Sequence, residues 1–98
     1  MGARGILLVG KTEQYLAVPP QVKVVNTVGA GDSAVAGFVY GTLTGKTLQE
    51  ALACAVAAGT ATTLQPGPAL CRKDDFLELI PQVKLYQQEE ISKVISKL

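Results

Sequence analysis

The N-terminal quarter of the chain alternates short apolar runs with turns. Residues 5–9 are aliphatic and bounded by glycines, and residues 14–18 form a second short run. Runs of this length and composition are typical of β-strands. Because only a short polar turn separates the two, we expect them to be antiparallel. A third run, the β-branched residues 22–25, predicts another strand after the break at Pro19 and Pro20.

The middle of the chain has the spacing of helices. Residues 32–43 mix small side chains with bulky aliphatic ones, which predicts a helix packed very closely against a sheet or a ligand. Gly45 is a suitable stop for this helix. Thr47 and Glu50 have the spacing of a capping box, so a second helix is predicted to begin there and to run to about residue 64.

The last third of the chain predicts two shorter helices. Turn formers in residues 65–68 interrupt the pattern, and a helix is expected from residue 73 or 74 to Pro81. In residues 89–98, apolar side chains recur at helical spacing. We interpret this tail either as a surface helix docked on the body or as a partner-binding helix.

Composition narrows the class of protein. The 98 residues allow one domain, and an apolar content of 48% with few aromatics fits an aliphatic α/β interior. A net charge of +1 without clustering argues against a nucleic-acid partner. No apolar run approaches the roughly 20 residues of a membrane span, and no signal peptide is visible, which predicts a cytoplasmic protein. Cys54 and Cys71 lack metal-site spacing and the chain has no histidine, so Cys54 is expected to be a buried, reduced thiol.

The chemically most informative stretch is the turn at residues 26–32, Asn-Thr-Val-Gly-Ala-Gly-Asp. Glycines let backbone N–H groups converge, and a helix start adds unpaired donors and the positive end of a dipole. This predicts an anion cradle holding the carboxylate of Asp32, the combination that phosphoryl transfer to a hydroxyl requires. The alternative is a plain strand-to-helix turn in which Asp32 is an ordinary N-cap. The spacing is neither that of a P-loop nor that of a dinucleotide-binding fingerprint.

Residues 26–39 as a whole resemble the C-terminal signature of the ribokinase-like (pfkB) carbohydrate kinases. Residues 2–9 resemble the element that opens the nucleotide-side strands of that family, and residues 55–61 resemble its helix beside adenine. The resemblance implies an α/β fold: the C-terminal portion of a ribokinase-like three-layer α/β/α fold, with a small mixed or antiparallel sheet edge. Residues 1–84 would be the C-terminal nucleotide-binding part, and residues 85–98 a helical tail.

The resemblance also implies roles for individual residues. Asp32 takes the position of the catalytic base, and the backbone amides of Gly29, Ala30 and Gly31 take that of the anion hole. The cofactors implied are ATP and Mg²⁺, with K⁺ as a further candidate. Predicted nucleotide neighbours are Gly2, Gly5, Thr27, Ala30, Gly31, Val56, Gly59 and Thr60. A monovalent cation is predicted at the backbone carbonyls of Asn26, Val28, Gln65 and Gly67.

The activity that the resemblance implies is ATP-dependent phosphorylation of a hydroxyl on a sugar phosphate. The chain is most similar to the hexose-phosphate kinases of the family, with conversion of fructose 6-phosphate to fructose 1,6-bisphosphate as the leading expectation. 1-Phosphofructokinase and tagatose-6-phosphate kinase activities are the alternatives. A different class of function, a non-catalytic nucleotide-binding or assembly fragment, also stays open.

Kinases of this family are much longer than the chain, as the resemblance implies. The other part would carry the sugar-binding lid, most sugar-phosphate contacts and an Asn-x-x-Glu element associated with magnesium. We therefore expect the isolated chain to be inactive and to expose a sheet edge and an apolar face. The expected partners are ATP, a phosphorylated hexose and the rest of the kinase fold, with a homodimer as a further candidate.

Overall fold

A computed structural model describes residues 5–66 and 71–97. Two strands come first, three helices and a short 3-10 turn follow, and a strand and a helix end the chain. No helix in these ranges combines the length and the apolarity that crossing a lipid bilayer would take. The elements are β1 (Ile6–Val9), β2 (Gln14–Val18), α1 (Ala30–Leu43), α2 (Leu48–Thr63), α3 (Lys73–Leu79), the 3-10 turn (Ile80–Gln82), β3 (Lys84–Gln87) and α4 (Gln88–Ile95).

The three strands form one antiparallel sheet in the order β1-β2-β3. The predicted hairpin is confirmed, with Leu7 opposite Leu16 and a hydrogen bond from the Gly10 N–H to the Glu13 carbonyl at 2.7 Å. The sequence pattern does not predict β3, because Lys-Leu-Tyr-Gln lacks an apolar alternation and its partner β2 is distant along the chain. The predicted division between residues 84 and 85 falls inside this strand.

The strand predicted at residues 22–25 does not form, and this prediction is wrong. The segment runs past the end of α2, where the N–H groups of Val25 and Asn26 both donate to the Thr63 carbonyl, at 2.7 and 3.0 Å. A helix leaves its last carbonyls without intrahelical partners, and this segment satisfies one of them instead of joining the sheet. The contact holds the entry to the glycine turn beside the C-terminal end of α2.

The start of α1 differs from the prediction by two residues. The helix begins at Ala30, and the preceding residue, Gly29, has a φ of 82°, in the left-handed region that glycine tolerates. Asp32 therefore lies in the first turn of α1, and the alternative in which it caps the helix is wrong.

The connection between α1 and α2 has the structure that its own residues predict. Gly45 has a φ of 78°, and the Lys46 N–H donates to the Gly41 carbonyl at 3.1 Å, which closes α1 in a Schellman motif. At the head of α2, the predicted capping box is confirmed: the Glu50 N–H donates to the Thr47 hydroxyl, and the Thr47 N–H donates to the Glu50 carboxylate.

Two glycines of the small-residue face of α1, Gly37 and Gly41, pack against α2. A Cβ added at Gly37 would lie 2.5 Å from the carbonyl oxygen of Cys54, and one added at Gly41 would lie 2.7 Å from the Cα of Ala51. These distances are shorter than van der Waals contact, so only glycine permits the two backbones to approach this closely. The sequence pattern does not identify α2 as the partner of this face, because α2 has the same small, apolar composition as a helix that faces a sheet.

The core lies between α2 and the sheet, and α2 is buried from Ala51 to Thr63. Ala17 of β2 packs with Leu52 and Val56 of α2. Leu16 points to the opposite face of the sheet because side chains alternate along a strand, and it is buried as well. α4 contacts β2 and β3 and buries Ile91, which places it over that face. The tail is therefore docked on the body, and the layers run helix pair, sheet, helix.

Candidate active site

A cavity of about 600 Å³ opens at the N-terminal end of α1. One face of the first three turns of α1 lines the cavity. α2 forms one side of it, and the start of α3 closes the far end. The lining is largely apolar, with the Asp32 carboxylate and the hydroxyls of three further residues as its polar side-chain groups. The lining residues are Val28, Gly29, Asp32, Ser33, Ala36, Gly37, Tyr40, Ala58, Thr62, Cys71 and Phe76.

The glycine turn is shaped by one side-chain hydrogen bond. The Oδ1 atom of Asn26 accepts from the Val28 N–H at 2.9 Å, an Asx turn that brings the chain to the left-handed Gly29. The Ala30 N–H donates to the Thr27 carbonyl at 3.2 Å. Thr27 thus supports the turn through its backbone, and its predicted contact with a nucleotide stays a prediction.

Of the three amides in the predicted anion hole, two are free and one is engaged. The N–H groups of Gly29 and Gly31 have no acceptor within residues 5–66 and 71–97, whereas that of Ala30 already serves the Thr27 carbonyl. The Asp32 N–H is likewise without an acceptor in the described ranges. The first turn of α1 therefore offers the donors of Gly29, Gly31 and Asp32 to an anion, so that Asp32 takes the place of Ala30 in the predicted set.

Asp32 lies in the first turn of α1, at the mouth of the cavity, and its role as a base stays a prediction. Its side chain is exposed, lines the cavity and belongs to the same helical turn as the free amides. A carboxylate beside backbone donors can take a proton from a hydroxyl while the donors hold the anion that the hydroxyl attacks. The arrangement is thus suited to transfer of an anionic group to an alcohol.

A buried hydrogen bond that the sequence analysis did not identify fixes this turn. The Thr62 hydroxyl lies 2.7 Å from the Ser33 hydroxyl, to which it donates, and 3.0 Å from the Ala58 carbonyl. Ser33 directly follows Asp32, so the bond ties the turn that carries the carboxylate to α2. The signal in the sequence was the threonine run at the end of an otherwise alanine-rich helix.

An aromatic pair forms the far wall of the cavity. The rings of Tyr40 and Phe76 meet edge to face, with centroids 5.7 Å apart and an interplanar angle of 84°. Tyr40 lies eight residues after Asp32 and on the same face of α1, whereas Phe76 comes from α3. Helical spacing could have predicted the first of these, but only the packing of α3 brings the second.

The structure does not bring the other predicted nucleotide residues to this cavity. Val56 has an exposed fraction of 0% and packs with Ala17 and Leu52 in the core. Gly59 and Thr60 are also buried, and α2 presents Ala58 and Thr62 to the cavity instead. Gly5 adopts a φ of 103° against the Ala17 backbone, so the sheet explains this glycine. Gly2 lies outside the described residues.

The predicted cation site can be located only in part. Asn26 and Val28 lie at the glycine turn, and the Gln65 N–H donates to the Thr62 carbonyl. Gly67 lies outside the described residues. No group of three or more histidine, cysteine, aspartate or glutamate side chains that could hold a metal ion occurs in residues 5–66 and 71–97. Ligation by backbone carbonyls stays a prediction.

Comparison with known proteins shows which family this chain is similar to. Residues 1–75 match the profile of the pfkB family carbohydrate kinases. The chain is 40% identical over 86 residues to a 1-phosphofructokinase of Borreliella burgdorferi, covering 87% of this chain and 27% of the relative. It is 41% identical over 75 residues to the ATP-dependent 6-phosphofructokinase isozyme 2 of Escherichia coli, covering 76% and 24%.

A solved structure of another protein has a fold similar to that of this chain. The structure of phosphofructokinase-2 from Escherichia coli in complex with potassium superposes with a TM-score of 0.77 at 39% identity, over 82% of this chain and 26% of the other. The chain thus spans about a quarter of the length of the relatives it matches.

Proposed function

Because this chain belongs to the pfkB family of carbohydrate kinases, we propose that its α1 turn carries the catalytic end of a sugar-phosphate kinase. The observation that supports this most directly is that Asp32 lines the cavity in the same turn as the N–H groups of Gly29 and Gly31, which have no acceptor among the residues that the structure describes. In this proposal Asp32 is the general base, and the amides stabilise the group that is transferred.

The chemical step moves a phosphoryl group from ATP to a hydroxyl. The hydroxyl oxygen forms a bond to the γ-phosphorus, the bond from that phosphorus to the bridging oxygen breaks, and ADP leaves. The hydroxyl proton passes to the Asp32 carboxylate. Since a carboxylate is a weak base towards an alcohol, its placement beside the donors of α1 must supply most of its effect. The Ser33–Thr62 bond maintains that placement.

The substrate proposed is a fructose phosphate. Fructose 6-phosphate is the first candidate, and it matches the activity named for the Escherichia coli isozyme 2. Fructose 1-phosphate is the second, because the relative from Borreliella burgdorferi is named as a 1-phosphofructokinase. The two relatives are about equally similar to this chain, at 40% and 41% identity, so their names do not separate the two candidates.

ATP and Mg²⁺ are the cofactors proposed. Asp32 is the only carboxylate that lines the cavity in the described ranges, so these residues provide no multidentate Mg²⁺ site, and the ion would be held chiefly by the triphosphate. Bound there, Mg²⁺ neutralises phosphate charge. K⁺ is proposed at the carbonyls of the glycine turn, since a relative with a similar fold is described in complex with potassium.

The test is a chimera in which residues 1–75 of this chain replace the matched segment of the Escherichia coli isozyme 2. We expect ATP-dependent phosphorylation of a fructose phosphate, and at least about a hundredfold loss of turnover in Asp32→Asn with nucleotide affinity retained. Asp74→Asn is the matched control, because Asp74 is also an exposed aspartate in the first turn of a helix but lies outside the cavity lining. Full turnover in Asp32→Asn would contradict its role as base.

The same chimera tests the non-catalytic alternative. A folded chimera that binds ATP but phosphorylates neither fructose 6-phosphate nor fructose 1-phosphate would favour a nucleotide-binding or assembly role for this segment.

Replacing K⁺ by Na⁺ in the assay of the chimera tests the cation proposal, which predicts higher turnover in K⁺.

A further inference from the structure

Ser33 carries a buried hydroxyl in the wall of the cavity at the start of α1. Its exposed fraction is 7%, and it lines the cavity together with Asp32. The backbone N–H of Ser33 donates to the Gly29 carbonyl at 2.9 Å, so it is not available to a ligand. What Ser33 can offer to a molecule in the cavity is therefore its side-chain hydroxyl, which can both donate and accept.

The proton of this hydroxyl has two possible directions. Thr62 has two neighbours that can accept its own proton, the Ser33 hydroxyl at 2.7 Å and the Ala58 carbonyl at 3.0 Å. Because a hydroxyl carries one proton, Thr62 donates fully to only one of them at a time. When it donates to Ala58, the Ser33 proton is directed to the Thr62 oxygen. When it donates to Ser33, the Ser33 proton has no acceptor in residues 5–66 and 71–97.

These two arrangements allow the pair of hydroxyls to respond to a ligand. Without an acceptor in the cavity, donation from Ser33 to Thr62 and from Thr62 to Ala58 leaves neither buried hydroxyl unsatisfied. With an acceptor in the cavity, Thr62 donates to Ser33, and Ser33 donates to the acceptor. The change rotates two hydroxyl protons and needs no movement of the helices.

An anionic oxygen is the acceptor that this location favours. The N–H groups of Gly29, Gly31 and Asp32 lie at the same helix start without acceptors in the part of the chain that the structure describes. They and the positive end of the α1 dipole attract negative charge to the turn that contains Ser33. Hydrogen bonds to a charged acceptor are about twice as strong as bonds between neutral groups, so a bound anion favours the second arrangement.

Thr62 determines where the Ser33 hydroxyl lies. The Thr62 side chain has an exposed fraction of 1%, and its methyl group lies near Gly29, where an added Cβ would be 3.9 Å from Thr62 Cγ2. One side chain of α2 thus contacts the turn at two points, Gly29 through its methyl group and Ser33 through its hydroxyl. The backbone donors of the turn and the Ser33 hydroxyl are therefore supported by the same residue.

We propose that the Ser33 hydroxyl donates a hydrogen bond to the terminal phosphate of bound ATP, and that Thr62 is a positioning residue for that hydroxyl. The proposal rests on the proposed function, because it takes from it that the turn at the start of α1 holds the phosphoryl group that is transferred. It adds one side-chain donor to the backbone amides of that turn.

The test measures nucleotide binding, which does not require turnover, in the chimera that carries residues 1–75 of this chain. Calorimetry gives the dissociation constants of a non-hydrolysable ATP analogue and of ADP. Ser33→Ala is expected to weaken binding of the analogue about tenfold or more and to leave ADP binding unchanged, because ADP lacks the terminal phosphate. Thr62→Val keeps the Ser33 hydroxyl and removes only its support, so it should weaken binding of the analogue less than Ser33→Ala does.

Thr63→Val is the matched control. It removes another buried hydroxyl from the last turn of α2, but that hydroxyl donates to the Thr60 carbonyl within the same helix. We expect Thr63→Val to bind both nucleotides as the parent chimera does. Circular dichroism establishes that each variant is folded before its affinities are compared.

The pattern of losses decides between a phosphate contact and a merely structural bond. A loss that is confined to the triphosphate analogue, and that is larger in Ser33→Ala than in Thr62→Val, supports the proposal. Equal losses in these two variants, equal losses for analogue and ADP, or full affinity of Ser33→Ala for the analogue would each overturn it.

The same experiment separates this proposal from the proposed function. A chimera that shows the expected binding pattern but has no kinase activity counts against the proposed function and leaves the Ser33 contact established. An active chimera in which Ser33→Ala binds the analogue normally has the opposite meaning. A folded chimera that binds neither nucleotide contradicts both.

Discussion

The Thr62 hydroxyl lies 2.7 Å from the Ser33 hydroxyl, in a buried contact that joins the last turn of α2 to the first turn of α1. The two residues are 29 positions apart, and neither is charged or aromatic. Their contact nevertheless determines where Asp32 is held, because Ser33 is its neighbour on the helix. A hydrogen bond in this location is expected to matter both for stability and for the orientation of the turn that carries Asp32.

Thr62→Val should therefore destabilise the chain by about 1–3 kcal/mol, since it keeps the shape of the side chain and leaves the Ser33 hydroxyl buried without its partner. The measurement is urea unfolding followed by circular dichroism. Thr63→Val is the matched control: Thr63 is also buried, but its hydroxyl bonds to Thr60 within the same helix. Equal losses in the two variants would show that the link between the helices contributes nothing of its own.

Gly37→Ala should destabilise the helix pair by about 1–3 kcal/mol or more, because the added Cβ would lie 2.5 Å from the Cys54 carbonyl oxygen. Gly31→Ala is the control for the change of residue type, since a Cβ there meets nothing within 4 Å and alanine favours a helix over glycine. Thermal unfolding midpoints of the two variants should move in opposite directions. A neutral Gly37→Ala would mean that α1 and α2 are not packed this closely.

The capping box predicts a specific response to acid. Hydrogen bonds from the Thr47 backbone N–H and side chain hold the pKa of the Glu50 carboxyl below its ordinary value. The folded state thus favours the ionised form, so this contribution to stability is present above the ordinary pKa and is lost as the pH falls through the lowered one. Urea unfolding of Glu50→Gln, which can keep the capping geometry without titrating, should show less loss of stability in that acid range than the parent chain.

The two cysteines should differ in reactivity. Cys54 of α2 is buried, and burial raises the pKa of its thiol, which lowers the thiolate fraction at neutral pH. Cys71 is half-buried and lines the cavity. Titration with a disulfide reagent should show one fast thiol, lost in Cys71→Ser, and one that reacts only on unfolding, lost in Cys54→Ala. Protection of Cys71 by a nucleotide would place the ligand in this cavity. Fast labelling of Cys54 would contradict its burial on α2.

Local signals were sufficient where the interaction partners are close in sequence. The β1–β2 hairpin, the capping box of α2 and the stop at Gly45 all depend on residues within a few positions of each other. Asp32 and the glycines beside it could be identified for the same reason, because the donors of a helix start and a carboxylate in its first turn lie on one continuous segment. These features could therefore be predicted from the sequence alone.

Contacts between distant segments had to come from the tertiary structure. Residues 22–25 have the composition of a strand, yet their N–H groups meet the Thr63 carbonyl, and β3 forms only because β2 offers it an edge. Val56 belongs to a helix that resembles a nucleotide-binding one, but the direction of its side chain into the core depends on how α2 rotates against the sheet. The Ser33–Thr62 bond and the Tyr40–Phe76 wall likewise require helices to be placed side by side. The sequence by itself thus determined the helix start that carries Asp32 and its neighbouring glycines, whereas packing decided which residues surround it, because burial and pairing depend on the whole arrangement of the chain.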